Sequence, residues 1–300
     1  MKHPQYFSHH SHDEKMQHNI SKAMSYEGKM LGQLKMPVRT EVEEALLIAL
    51  FRHNGVIKEF GSDEQIVAEM ADGFGLNEEQ RSAYLETIYR KENRVKKSSL
   101  WHRLLFSAAD SLAKEKMVSR PTQTLRLTNN REWMLTERGF DKALRLSSIP
   151  VAKKYFLSTK SFEVQKIVKK LNETPMLENY NPFDRNKKVS KITKETTLRR
   201  RGFRQAVIEA YNYKCAVCGM KIYSPDALSW EVEAAHIVPH RAMGKDDICN
   251  GMALCRLHHW AFDIGWFTLL DSYKVEVSSQ AGSLPVDFGK IGEYEFLKSW

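Results

Sequence analysis

Two pairs of metal-ligating side chains set the tightest limit on how this chain can fold. Cys215 and Cys218 stand three apart, as do Cys255 and His258. Closed zinc sites take four Cys or His ligands, commonly as two short-spaced pairs that the fold brings together. The spacing therefore predicts one structural Zn²⁺ held by Cys215, Cys218, Cys255 and His258. A two-Cys, two-His finger drawn from Cys215, Cys218, His236 and His240 competes with this set, since His-x3-His is a helical ligand spacing. Pro239 would break that helix, and Cys255, His258 and His259 would go unused. The fourth cysteine, Cys249, reads as a small buried hydrophobe. All four cysteines lie between 215 and 255, which favours metal in a reducing compartment over a disulfide framework. The cytoplasm is the expected location.

The four-ligand set leaves His236, Asn250 and His259 without a structural task. An imidazole with an unperturbed pKa of about 6.5 can take a proton from water at neutral pH. A second imidazole can hold a divalent ion, and an amide can fix a loop by hydrogen bonds at both ends. Together these are the parts of metal-assisted phosphodiester hydrolysis.

The segments EVEAAHIVPH and CNGMALCRLHHWAFDIGWF, with His, Asn and His in that order between two zinc half-sites, resemble the HNH (ββα-metal) endonucleases of restriction systems. The resemblance covers residues 200 to 270. It implies His236 as general base on the first strand, Asn250 as the residue that orients the loop, and His259, opening the helix, as ligand of a catalytic Mg²⁺ or Mn²⁺. Many family members carry Asp just before the base as a second ligand, and here that position is Ala235. Asp263, one helical turn after His259 and so on the same face, is a candidate substitute; water is the other.

At 300 residues the chain is long for one core and natural for two modest domains. No run of about 18 apolar residues occurs and no signal-peptide pattern opens it, so no membrane partner is expected. The formal net charge of +9 suits a polyanion, double-stranded DNA above all.

Residues 1–38 are polar and histidine-rich and read as a mobile arm. Helical spacing follows from residue 40 to 50, with His53-Asn54-Gly55 as a stop. A second helix opens at 62 to 64, a third is capped by Asn77 with Leu85 and Ile88 inward, and a fourth runs from 100 to 114. Residues 124 to 128 and 131 to 136 flank Asn129-Asn130, a hairpin turn signal. Helices followed by such a wing point to a winged helix over residues 39–146. The stretches WHRLLFSAADSLAKEKMV and REWMLTERGF are similar in pattern to the N-terminal winged-helix domain of Mrr-type restriction proteins. On that resemblance the helix from Leu100 enters the major groove. Its DNA-binding candidates are Lys96, Lys97, Trp101, His102 and Arg103, with Arg126 and Arg131 on the wing.

Residues 147–199 read as a helical and basic linker. Between 185 and 204 stand nine Lys or Arg against one acid, Glu195, and such a run, Arg199, Arg200 and Arg201 included, supplies phosphate contacts. Residues 200–300 complete the chain, with strands at 265 to 270 and 273 to 277. The expected architecture is α+β, an N-terminal winged helix joined to a C-terminal zinc-stabilised ββα-metal module. The expected activity is restriction-type cleavage of foreign, methylated DNA. One such site cuts one strand, so a double-strand break needs a homodimer or two visits. A DNA-binding regulator with a zinc module and no catalysis is the competing reading.

Overall fold

The computed structural model describes residues 26–60, 64–89, 94–175, 179–184, 194–270, 272 and 274–279. Most of the polar arm, the start of the basic run at 185 to 193, and the tail from 280 lie outside them. The chain divides into two compact units, Met1–Val151 and Ala152–Trp300.

The first unit is built around one helix. After α1 (Tyr26–Gln33) comes α2 (Arg39–Arg52). Its residues Val42, Ala45, Leu46, Leu47, Ala49 and Leu50 are all fully buried. An apolar surface on more than one face requires neighbours on several sides, and α2 has them. Asn54 and Gly55 take positive φ angles of 55° and 86°, which end the helix as the His-Asn-Gly stop predicts. Strand β1 (Val56–Lys58) and helices α3 (Gln65–Gly73) and α4 (Glu78–Ser82) follow. Asn77 caps α4 as expected, its side chain accepting from the Gln80 amide. The helix then stops after five residues. Leu85 lies instead on β2 (Tyr84–Tyr89), paired antiparallel with β3 (Arg94–Ser99), where a helix and a polar loop are predicted. Tyr, Thr, Ile and Val at residues 84 to 95 favour the pleated form, and that preference outweighs a cap that governs only one turn. The side chain of Ile88 lies outside the described residues.

Helix α5 (Leu100–Lys114) has the predicted bounds, with Ser99 as its cap. Beyond it come β4 (Val118–Ser119), α6 (Pro121–Thr128), β5 (Glu132–Leu135) and α7 (Glu137–Leu146). The hairpin expected across Asn129-Asn130 does not form, because its first arm is α6. Pro121 occupies the first helical turn, where a missing N–H costs nothing. Asn129, left-handed at φ 61°, serves as a helix C-cap rather than a hairpin corner. The strands form one antiparallel sheet in the order β1-β5-β4, with Ile57 opposite Trp133 and Val118 opposite Leu135.

In the second unit, α8 (Phe162–Asn172) lies along α9 (Lys194–Ala210). Their contact is close at Gly202, where a Cβ would collide with Ile167. Both helical parts of the expected linker therefore belong to a packed structure. One side of α9 sets Ala206 against Val164 and Val168 of α8. Another sets Phe203 and Val207 against Ala253 of the two-stranded ribbon β6 (Glu233–His236) and β7 (Gly251–Leu254). Burying each large apolar side chain there is worth about 1.5–3 kcal/mol. Helix α10 (Arg256–Asp263) packs on β6 and β7, and the hairpin β8 (Phe267–Leu269) and β9 (Val275–Val277) closes the described part. The two predicted C-terminal strands are thus present, though Tyr273 lies outside the described residues.

Candidate active site

The two half-sites meet. The ligand atoms of Cys215, Cys218, Cys255 and His258 all lie within 4.8 Å of one another. Cys215 and Cys218 come from the turn after α9, Cys255 caps α10, and His258 sits in its first turn. His258 Nδ1 is 2.9 Å from Cys255 Sγ and 3.6 Å from Cys215 Sγ, and Cys218 Sγ is 4.0 Å from Cys255 Sγ. Tetrahedral zinc with Zn–S bonds of about 2.3 Å places its sulfurs about 3.8 Å apart, so this donor set fits the ion. A hydrogen bond from the Cys255 thiol holds Cys215 down at about 3, and the same bond pushes Cys255 up. Thiols this close compete for few protons, as a metal-binding set must. The competing finger is excluded, since His236 and His240 are not part of the cluster.

His236 ends β6, opposite Gly251 at the start of β7. A Cβ at Gly251 would strike Val207 and Phe203, so glycine is what lets α9 approach. Phe203 then stacks on the His236 ring, with centroids 4.1 Å apart and planes 16° from parallel. His236 Nε2 lies 3.0 Å from Asp246 Oδ1, and Arg199 Nη2 is 3.3 Å from Asp246 Oδ2. An ionised carboxylate only accepts, so Nε2 is the donor in this pair and Nδ1 is the nitrogen left to act as a base.

Asn250 is fully buried. Its Oδ1 accepts from the Val238 amide at 2.8 Å, and its Nδ2 donates to the carbonyls of Val238 and Lys245 at 3.0 and 2.9 Å. The loop between the two strands is thus tied at both ends, close enough that Gly244 has no room for a Cβ beside the Val238 carbonyl. Asn250→Ala leaves three partly buried backbone groups short of a partner, so we expect a loss of about 3 kcal/mol. Urea melts of the two proteins measure it.

His259, in the first turns of α10, turns Nδ1 to Glu233 Oε2 at 3.1 Å and Nε2 to Asp263 Oδ2 at 3.7 Å. Hydrogen bonding to His259 lowers the Glu233 carboxyl below its usual range, and the same bond raises His259. One imidazole flanked by two carboxylates is a donor set suited to a hard divalent ion. Sequence reading did not find Glu233 or Asp246. Their only signal is position, Glu233 at the head of the strand that bears His236 and Asp246 in the loop that Asn250 ties.

The residues proposed for DNA fare unevenly. Trp101 is 2% exposed, donates from Nε1 to the Val67 carbonyl and packs on Phe74, so it is core and not a base reader. Arg103 is bound by both Glu27 oxygens, at 3.1 and 2.6 Å, and Arg131 by both Glu59 oxygens. Arg126 is exposed on α6 instead of a wing strand. Lys96 and Lys97 are exposed on β3, Lys97 beside Tyr84 and Glu86. Lys96, Ser98, Ser99, His102, Arg103 and Ser107 border one cleft of about 610 Å³. On α9, Arg199 and Arg200 are exposed, whereas Arg201 is 5% exposed and reaches the Thr159 carbonyl. Arg201 therefore supplies no open cation to a phosphate surface. Among the described residues, no helix is long and apolar enough to cross a membrane.

Residues 215–270 match the family model of the HNH endonucleases. No curated protein matches the chain. A solved structure, a modification-dependent TagI restriction endonuclease, is similar at 27% identity over 26% of this chain and 28% of that one, with a TM-score of 0.24. The chain thus spans under a third of that protein's length. The matched segment begins at the first zinc half-site and runs through His236, Asn250 and His259, so this chain carries an HNH endonuclease domain over residues 215–270.

Proposed function

We propose that this chain is a restriction-type endonuclease that hydrolyses DNA phosphodiester bonds with a divalent metal ion, in defence against modified foreign DNA. The observation that carries the reading is the pair Asp246 and His236. One ring nitrogen is engaged by a carboxylate, the other is left as a base, and neither belongs to the zinc cluster.

His236 Nδ1 takes the proton from the attacking water. Asp246 and the Phe203 ring hold the imidazole in its plane, and Asn250 holds the loop behind it. His259 and Asp263 would hold a Mg²⁺ or Mn²⁺, with Glu233 turning the His259 ring through Nδ1 in the manner of a carboxylate behind a metal-bound histidine. Such an ion, when bound, supplies Lewis-acid stabilisation of charge on the phosphate. Asp263 would then stand in for the ligand that Ala235 lacks.

We also assign DNA recognition to the first unit and cleavage to the second. Strand β1 follows the first core helix and pairs with the last strand, β5, in the order β1-β5-β4, an arrangement that supports the winged-helix reading with α6 standing in the wing. Exposed Lys96 and Lys97 would meet phosphates. Replacing both with alanine should weaken duplex binding and cut the slope of log affinity against log salt by up to about 2, near 0.9 for each phosphate no longer neutralised. Anisotropy titrations over a salt series read this.

Purified protein incubated with supercoiled plasmid, methylated or unmethylated, with and without added Mg²⁺ or Mn²⁺, tests the proposal. Nicking of the methylated plasmid that needs the added ion is the expected result. Both plasmids surviving under all conditions would leave the regulator reading in its place. Direct conversion to linear DNA, without a nicked intermediate, would point to a homodimer.

A further inference from the structure

Residues 180–184, which come between α8 and α9 in the chain, are laid along the loop that carries Asp246. Tyr180 Oη donates to Asp247 Oδ1 at 2.8 Å. The Lys245 amide donates to the Pro182 carbonyl at 2.9 Å, and the Asp184 amide to the Met243 carbonyl at 2.7 Å. Phe183 pairs antiparallel with Gly244. Lys245 Nζ reaches back to the Asn181 carbonyl and lies 5.3 Å from the centre of the Tyr180 ring. Met243, Gly244, Lys245 and Asp247 are therefore all held from this stretch. Asp246 stands among them and faces His236 Nε2 at 3.0 Å and Arg199 Nη2 at 3.3 Å.

Apolar burial does not explain the arrangement. Phe183 is 48% exposed and Asn181 is exposed, so the stretch gains little by leaving water. What it contributes is direction. Pro182 fixes one backbone angle, and Asn181 Oδ1 accepts from the Phe183 amide at 2.9 Å, a local turn that stiffens the stretch. Loops are among the most mobile parts of a fold, and Asn250 ties this one at Val238 and Lys245, just short of Asp246. Lys245 is thus gripped from two sides, its carbonyl by Asn250 and its amide by Pro182. On the far side of Asp246, Asp247 Oδ1 accepts from Tyr180 and also from the Cys249 amide, at 2.9 Å. Burial, and then the bond to Asp247, push the Tyr180 phenol above its ordinary range, so it stays a donor at neutral pH.

Resting on the nuclease reading above, we propose that Tyr180 is a positioning residue for cleavage: with residues 180–184 as a brace, it holds Asp247 and so fixes where the neighbouring Asp246 meets His236. The Asp246 carboxylate has to stay within hydrogen-bond reach of Nε2 if Nδ1 is to face the attacking water. A shift of about 1 Å in such a group costs up to about 100-fold in rate. Tyr180 acts on neither the phosphate nor the transferred proton. Its effect on the rate passes through Asp246, which sets it apart from a residue that only stabilises the unit.

The test uses the full chain and compares wild type, Tyr180→Phe, Asp246→Asn and the variant carrying both changes. Nicking rate at saturating plasmid, the plasmid concentration that gives half that rate, zinc content and melting temperature are measured on each. Tyr180→Phe keeps the ring and loses the donor. Its rate at saturation should fall about 10-fold, with the half-saturating concentration within about twofold of wild type. Zinc should stay at one per chain, and the melting temperature should drop by no more than about 4 °C, the usual effect of one hydrogen bond. Added to Asp246→Asn, the same change should alter the rate by less than about twofold, because residues that act through one another are not additive. An equal loss in both backgrounds would overturn the proposal, since the tyrosine would then act by another route. So would loss of zinc or a far lower melting temperature in Tyr180→Phe, the mark of a structural contact. If the wild-type protein nicks no plasmid with either ion, the nuclease reading itself fails and this proposal with it, whereas active wild type with an unaffected Tyr180→Phe sinks only the role of Tyr180.

Discussion

Cys215→Ala protein is expected to lose its zinc and the fold of its second unit while the first unit stays folded. The four donors converge within 4.8 Å, and around them Cys215, Val217, Val232, Ala235, Leu254, Cys255, Ala261 and Phe267 share one apolar cluster. That cluster is small, and it joins α9, the β6-β7 ribbon, α10 and β8 around the four donors. Structural zinc contributes about 10 kcal/mol or more to small domains, comparable to the whole stability of a typical domain. Metal analysis should find one zinc per wild-type chain and none in the variant. Limited proteolysis should leave a resistant fragment ending near residue 151 and degrade the rest. A variant that keeps a protease-resistant second unit without zinc would show that the cluster does not need the ion.

His236→Ala should behave in the opposite way, with folding kept and cleavage lost. The side chain is 22% exposed and touches Asp246 and Phe203, neither of which holds zinc, and Asp246 keeps Arg199 as a partner. Zinc content and DNA affinity should therefore match wild type. Removing a general base costs about 10²-fold to 10⁴-fold, so nicking should fall at least that far. Asp246→Asn keeps the volume and loses the charge that fixes the proton on Nε2, and its rate should lie between the two. Nicking by His236→Ala at the wild-type rate would remove the mechanism.

Ligand identity was legible in the chain because metal coordination is a short-range chemical rule. Cys and His at three-residue spacing need little more than a turn to become a half-site, and both half-sites formed where their spacing put them. The order of His236, Asn250 and His259 carried the family in the same way. Helices rich in apolar residues at helical spacing were equally readable, and α2, α3 and α5 fall where those residues place them. Local signals that permit two outcomes were not readable. Asn129 at positive φ serves a hairpin corner or a helix C-cap equally well, and Pro121 with the packing of Thr124 decided for the helix. Trp101 at the head of α5 could face DNA or the core, and only the Val67 carbonyl, far off in sequence, decided for the core.

The same division runs through the active site. Sequence by itself picked out the four donors that cluster, His236, the tethering amide and the histidine of α10, because each is recognised by its own chemistry at a fixed spacing. Tertiary structure alone decided what stands behind them: Asp246 on His236, Glu233 on His259 and Phe203 across the imidazole. Those partners come from a loop, a strand and a helix whose meeting depends on α9 closing over Gly251. A carboxylate in a charged sequence looks like any other until burial removes the water that would otherwise satisfy it.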